Sequence, residues 1–254
     1  PVLVTSGIET ALDWTGSQLG LAWIEDTGSS HTVFFQHHAS DGASASPAER
    51  LTEAVGSKHS LSTEWASAGV SIHGLVWADN RDSGIDEVYF TRVDVAGVEV
   101  GDEIPINNLT DPADASDSPA IVWNGSVFGV AWLQSDVTGW GEDMLPHFVR
   151  ISADGTLMGM GTPFYSPAGF GQSIDLAWDG RVFGVAWQSD GAETAHPIRY
   201  VAFTTLGTPE GVEILSDDHC LYDPFLSILW TGTEYGMSWT GPSGLMFGRL
   251  NFCE

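Results

Sequence analysis

Lysine is all but missing from this 254-residue chain. Lys58 is the only one, and the eight basic residues face 34 acidic ones for a formal net charge of −26. Binding to nucleic acid or to an anionic membrane rests on neutralising phosphates with Lys and Arg, so neither is an expected partner. Helical patterning is missing too: no segment keeps a 3.6-residue apolar period over ten or more residues, and no apolar run is long enough to span a bilayer. A phosphate loop, a nucleophile elbow and a Ser-His-Asp signature are all lacking. The eight histidines include no pair with the spacing of a helical metal site.

What the chain has in quantity is tryptophan, and it is periodic. Ten of the eleven fall in five pairs, Trp14/Trp23, Trp65/Trp77, Trp123/Trp132, Trp178/Trp187 and Trp230/Trp239. The second members advance by 54, 55, 55 and 52 residues, each preceded three positions earlier by a glycine: Gly20, Gly74, Gly129, Gly184, Gly236. A period near fifty residues marks a solenoid, propeller or array. Within a unit, Trp123-Asn124-Gly125 separates two β-rich runs, and Asn-Gly suits the positive φ angles of a tight hairpin turn. Thr15-Gly16, Asp179-Gly180 and Thr231-Gly232 repeat the turn, whereas Ala66 to Gly69 makes a wider one.

A third apolar run follows each pair, as in Glu87 to Val93, and a weaker fourth follows a Gly-containing turn, as in Glu103 to Ile106. Pro105 in the fourth run fits an outer edge strand, which need not donate to a ladder. These units predict an all-β, five-bladed β-propeller of four-stranded antiparallel blades, one domain over 1–254. The fifth unit stops after its third strand, and the orphan run Val2 to Thr5 is expected to supply the fourth and close the ring.

The motif Trp-[Asn/Asp/Thr]-Gly-x-x-[Phe/Tyr/Leu]-Gly-[Val/Leu/Met]-[Ala/Ser]-Trp resembles the repeat of secreted bacterial propeller proteins, mostly of unassigned function. The resemblance covers four units well and the second loosely, and it implies architecture and secretion rather than an activity. Any signal or lipid-anchor segment is then expected to have been removed upstream of Pro1. The five-bladed shape is also similar to that of some animal lectins and of furanoside-cleaving glycosidases, although no lectin motif or Asp-box is present. A single extracytoplasmic, monomeric domain is the expectation. Cys220 precedes the fifth unit's first strand and Cys253 follows its third, so their pairing is open. If formed, the bridge would contribute on the order of 3–4 kcal/mol.

Recurrence at fixed strand positions assigns the paired tryptophans to the core. Trp140 is outside the repeat, in a long loop with Glu142 and Asp143, and these three form the expected surface for a glycan or protein ligand, self-packing of the loop being the alternative. Asp79, Asp82 and Asp86 place hard oxygen donors around Gly84, a candidate Ca2+ site, against which Arg81 bridging Asp79 and Asp86 is the structural reading. Asp111, Asp114 and Asp117 form a second acidic stretch. Asp13, Glu64 and Asp175 lie on first strands, which line a propeller's channel, and are the candidate acids of a glycoside hydrolase. A secreted, non-catalytic ligand-binding propeller is the first expectation for function; a carbohydrate-active hydrolase using those three acids is the second.

Overall fold

The computed structural model describes residues 7–53, 55–67, 69–82, 84–107, 114–136, 143–164, 171–189, 197–216, 225–241 and 244–250. Its strands form five antiparallel sheets in chain order, four of four strands and the last of three. Each sheet is a simple meander beginning with the strand that carries the first tryptophan of the unit. This is the arrangement of a five-bladed propeller. The first strands are Glu9–Trp14, Lys58–Ala66, Ser116–Trp123, Gly171–Trp178 and Leu226–Trp230.

The hairpin turn between first and second strands is built by its own sequence. Asn124 Oδ1 accepts the backbone N–H groups of Ser126 and Val127, and Asp179 Oδ1 accepts those of Arg181 and Val182. Thr15 and Thr231 hydroxyl oxygens do the same in blades one and five. The side-chain oxygen therefore satisfies backbone donors that the reversing chain leaves unpaired, and the glycine after it takes the positive φ, 95° at Gly125. Blade two has no such oxygen, and its wider turn closes instead through Ser71 N–H to the Ala66 carbonyl.

The sheets are held together by four apolar clusters, joining blades one and two, two and three, three and four, and four and five. Trp77, Trp132 and Trp187, fully buried, anchor the first three of these clusters, and Trp239 packs against the fourth. A buried indole N–H needs an acceptor. Trp23, Trp77 and Trp132 donate to Glu25, Asp79 and Gln134, each two residues on and on the same strand face. The repeated glycine admits the next blade: a Cβ on Gly74 would lie 2.8 Å from Phe128, and one on Gly129 would lie 2.7 Å from Phe183. The residue preceding each blade's own glycine is thus the one that packs on the glycine before it.

Burial of the first-strand tryptophans is less uniform than expected. Trp123 is buried and Trp65, Trp178 and Trp230 partly so, but Trp14 is 48% exposed. Along the first strand Asp13 faces blade two, so Leu12 and Trp14 turn to the opposite side, where no described residue of blade five packs against them. Leu229, Leu245 and Phe247 are exposed on blade five. Val2 to Thr5, the expected closing strand, and both cysteines lie outside the described residues.

Candidate functional site: carboxylates of the inner strands

A propeller's first strands are edge strands, and edge N–H groups facing the channel lack a ladder partner. In this chain carboxylates from the neighbouring blade supply acceptors for several of them. Glu9 of blade one accepts the N–H groups of Ser60 and Leu61 in blade two, at 2.9 and 2.7 Å. Glu64 of blade two accepts Trp123 N–H of blade three at 3.3 Å. Asp175 of blade four accepts the N–H of Ile228 and the hydroxyl of Ser227 in blade five, at 2.9 and 3.1 Å. The acids on these strands therefore tie blade one to two, two to three and four to five.

Asp13, the last residue before Trp14, is set deeper. Its Oδ2 accepts Thr63 Oγ1 at 3.1 Å and lies 2.7 Å from His73 Nδ1. His73 Nε2 in turn lies 2.8 Å from His37 Nε2, and both imidazoles are buried. Gly20 leaves the space this needs, since a Cβ there would stand 2.3 Å from Asp13 Oδ1 and 2.6 Å from the His73 ring.

Two of the three expected acids hold their protons unusually well. Desolvation, augmented by the charge of Asp13, pushes Glu64 up to about 7. Desolvation likewise pushes Asp175 up to about 6, although three hydrogen-bond donors oppose it. Asp13 and Glu64 are thus neighbours, whereas the hydrogen bonds of Asp175 all go to blades four and five.

At the starting ends of the first strands of blades two and three is a cluster that sequence reasoning missed. His59 sits between Asp117, 3.2 Å from its Nδ1, and Asp86, 3.3 Å from its Nε2. Hydrogen bonds to Asp117 and then Asp86 push this histidine up to about 10, so it is an imidazolium at neutral pH. Ser60 donates to Asp117 at 2.7 Å, and Ser60 and Ser118 both take positive φ, 56° and 55°, at bulges in equivalent strand positions. The signal was available: Ser60 and Ser118 each stand five residues before the first tryptophan of their unit, and His59 and Asp117 six before it.

The expected calcium loop is turned to other uses. Asp79 is fully buried and accepts Trp77 Nε1, Arg81 Nε and an ion pair with Lys58 Nζ at 3.3 Å. Asp82 accepts the Tyr89 hydroxyl, and Asp86 pairs with His59. The three carboxylates do not converge, and no group of three metal-ligating side chains occurs among the described residues. Arg81 does bridge the loop, but from Asp79 to Glu103 rather than to Asp86. Trp140 and Glu142 lie outside the described residues; Asp143 begins a third strand, paired with Asp136. Asp111 is also outside them, and Asp114 is buried.

No protein-family model and no curated protein sequence matches the chain. Solved structures do match its fold. A thermostable family-43 glycoside hydrolase superposes with a TM-score of 0.58 at 10% identity, covering 98% of this chain and 90% of that one. An α-L-arabinanase of Penicillium chrysogenum complexed with arabinobiose gives 0.56 at 14% identity over 92% and 71% of the two chains. A subtype N10 neuraminidase-like protein of A/little yellow-shouldered bat/Guatemala/060/2010 gives 0.57 at 7% identity over 98% and 80%. At such identities the likeness is one of fold. It corrects the expectation of a non-catalytic binding module all the same, because the propellers recurring among the matches are glycoside hydrolases. This chain is therefore similar in fold to the propellers of family-43 glycoside hydrolases and arabinanases.

Proposed function

We propose that this chain is a carbohydrate-active glycoside hydrolase whose proton transfers are made by carboxyl groups of its inner strands. The observation that carries the reading is Glu64, half-buried on the inner strand of blade two beside the Asp13 charge and protonated up to about pH 7. Glycoside hydrolysis asks for one such acid to protonate the leaving oxygen and for a second carboxylate that is ionised. Glu64 takes the first role and Asp13 sustains its proton. Asp175, ionised above about pH 6, takes a proton from the attacking water. Its three donors leave one of the four acceptor positions of a carboxylate free for that water.

The fold neighbours support arabinan-type furanosides as the first substrates to test. The reading includes a closed ring, with Val2 to Thr5 as the fourth strand of blade five. Exposed apolar side chains on blades one and five, Leu12, Trp14, Leu229, Leu245 and Phe247, support closure. Arg92 and Arg150, each opposite its blade's repeat glycine, donate to carbonyls in the next blade's turn, Ala153 and Thr205. Arg249 occupies the same register position in blade five but pairs there with Glu234 of its own blade at 3.1 Å.

The expected rate profile is a narrow bell. Hydrolysis requires Asp175 deprotonated and Glu64 protonated, so kcat/KM should rise through about 6 and fall through about 7. Reducing-sugar release from arabinan and from aryl arabinofuranosides, followed from pH 4 to 9, measures it. Absence of hydrolysis across furanosides and pyranosides, or turnover that survives Glu64→Gln unchanged, would overturn the assignment.

A further inference from the structure

Four of the five blades place a ring, and blade one a leucine, immediately before the repeat glycine: Leu19, His73, Phe128, Phe183 and Tyr235. In blades three and four that ring is Phe, and packing on the previous blade's glycine is all it is needed for. Blade two has an imidazole there instead, fully buried, and the polar atoms it brings into an apolar interface are all used. His73 Nδ1–H donates to Asp13 Oδ2. A ring that donates from Nδ1 accepts at Nε2, so the 2.8 Å contact with His37 is closed by the N–H on His37 Nε2. The tautomers of both rings are thereby fixed by the carboxylate at the end of the chain. Phe35 and Trp65 pack on the His73 ring at centroid distances of 4.7 and 4.6 Å and hold its plane.

We infer that His73, braced by His37, is a positioning residue: the pair fixes the Asp13 carboxylate in the orientation from which its charge acts on Glu64. This deepens, and for its catalytic meaning rests on, the hydrolase reading above. Burial raises the proton affinity of Glu64 first, the Trp123 N–H opposes it, and among the described residues Asp13 is the charge that adds to it. His37 is faced by His73, Asp13, Asp94 and its neighbour His38, and burial first and then His73 disfavour its charged form. His37 therefore resists taking up a second proton. Among the described residues, Thr63 is the one other side chain that donates to Asp13.

The test replaces His73 by the residue that blades three and four carry. In His73→Phe the packing on Gly20 is kept and the hydrogen bond lost. The Glu64 carboxyl carbon, followed by NMR in the ligand-free protein, should then titrate lower than in the parent by roughly half a unit or more. The alkaline limb of the rate profile should move by the same amount while KM changes little. His73→Asn, whose amide can donate from near the Nδ1 position, should restore the parental midpoint. A folded His73→Phe protein in which Glu64 titrates as in the parent overturns the inference. Should that variant fail to fold, Asp13→Asn removes the charge at constant shape, and an unmoved Glu64 midpoint there overturns it equally. Because the titration needs no substrate, a shifted midpoint in a protein that cleaves no glycoside upholds the positioning role and defeats the hydrolase reading.

Discussion

Asp79→Asn should destabilise the protein by about 3–5 kcal/mol, because it removes the anion from a site that holds one fully buried cation, Lys58, and one partly buried, Arg81. Lys58 and Asp79 side chains are both fully buried, and Arg81 pairs with the same carboxylate. Burial lowers the Lys58 proton affinity and Asp79 is the first influence holding it up. With an amide in place of the carboxylate, Lys58 keeps neutral acceptors, the Val55 carbonyl at 2.6 Å among them, but loses its anion, and Arg81 keeps Glu103. Guanidinium unfolding followed by tryptophan fluorescence reads the loss as a lower midpoint at unchanged slope. A loss below 1 kcal/mol would mean that the pair is hydrated in solution and that the loop is looser than described. Asp82→Asn, which leaves an acceptor for the Tyr89 hydroxyl, is the control and should cost far less.

Trp187→Ala is expected to be as severe, about 3–5 kcal/mol, from lost transfer energy and an unfilled cavity between blades three and four. The indole packs edge-on against Phe164 at 5.4 Å and touches the cluster that includes Phe183 and Phe203. Trp239, its counterpart in the three-stranded blade, is only partly buried, so Trp239→Ala should cost less. Equal losses at the two positions would mean that blade five is covered as fully as blade four. Blades stacked in sequence share stability chiefly with their neighbours. For that reason both variants should be checked by two probes before a single unfolding free energy is quoted.

The parts of this fold legible in the sequence are those that a dozen consecutive residues determine. Asn124-Gly125 and its counterparts specify their own turns, and the two-residue period on either side specifies the strands. Fourth strands were the least certain, and in blades one and two they prove to be only two residues long, Glu49–Arg50 and Ile104–Pro105. The outer edge is where pairing adds least burial, so little in the sequence marks it. Side-chain partners were harder to read. Spacing put Asp79, Asp82 and Asp86 in one loop, but a buried lysine from an earlier strand, a tyrosine and a histidine divide them. Asp13 and Glu64 were recognisable as inner-strand acids from the repeat alone. That His73 stands behind Asp13 requires contacts across 60 residues of chain, although the exchange of a phenylalanine for a histidine at a packing position was visible in the alignment of the blades.

The burial of Lys58 also bears on how this protein meets reagents and enzymes that act on amines. With its one lysine inside the blade one–two interface, the folded domain offers no ε-amino group for acylation, glycation, aldehyde cross-linking or tryptic cleavage. Modification at that position becomes available when the interface opens. A slow amine-reactive label at Lys58 is therefore a chemical clock for that opening, read out as a single mass increment on a single peptide.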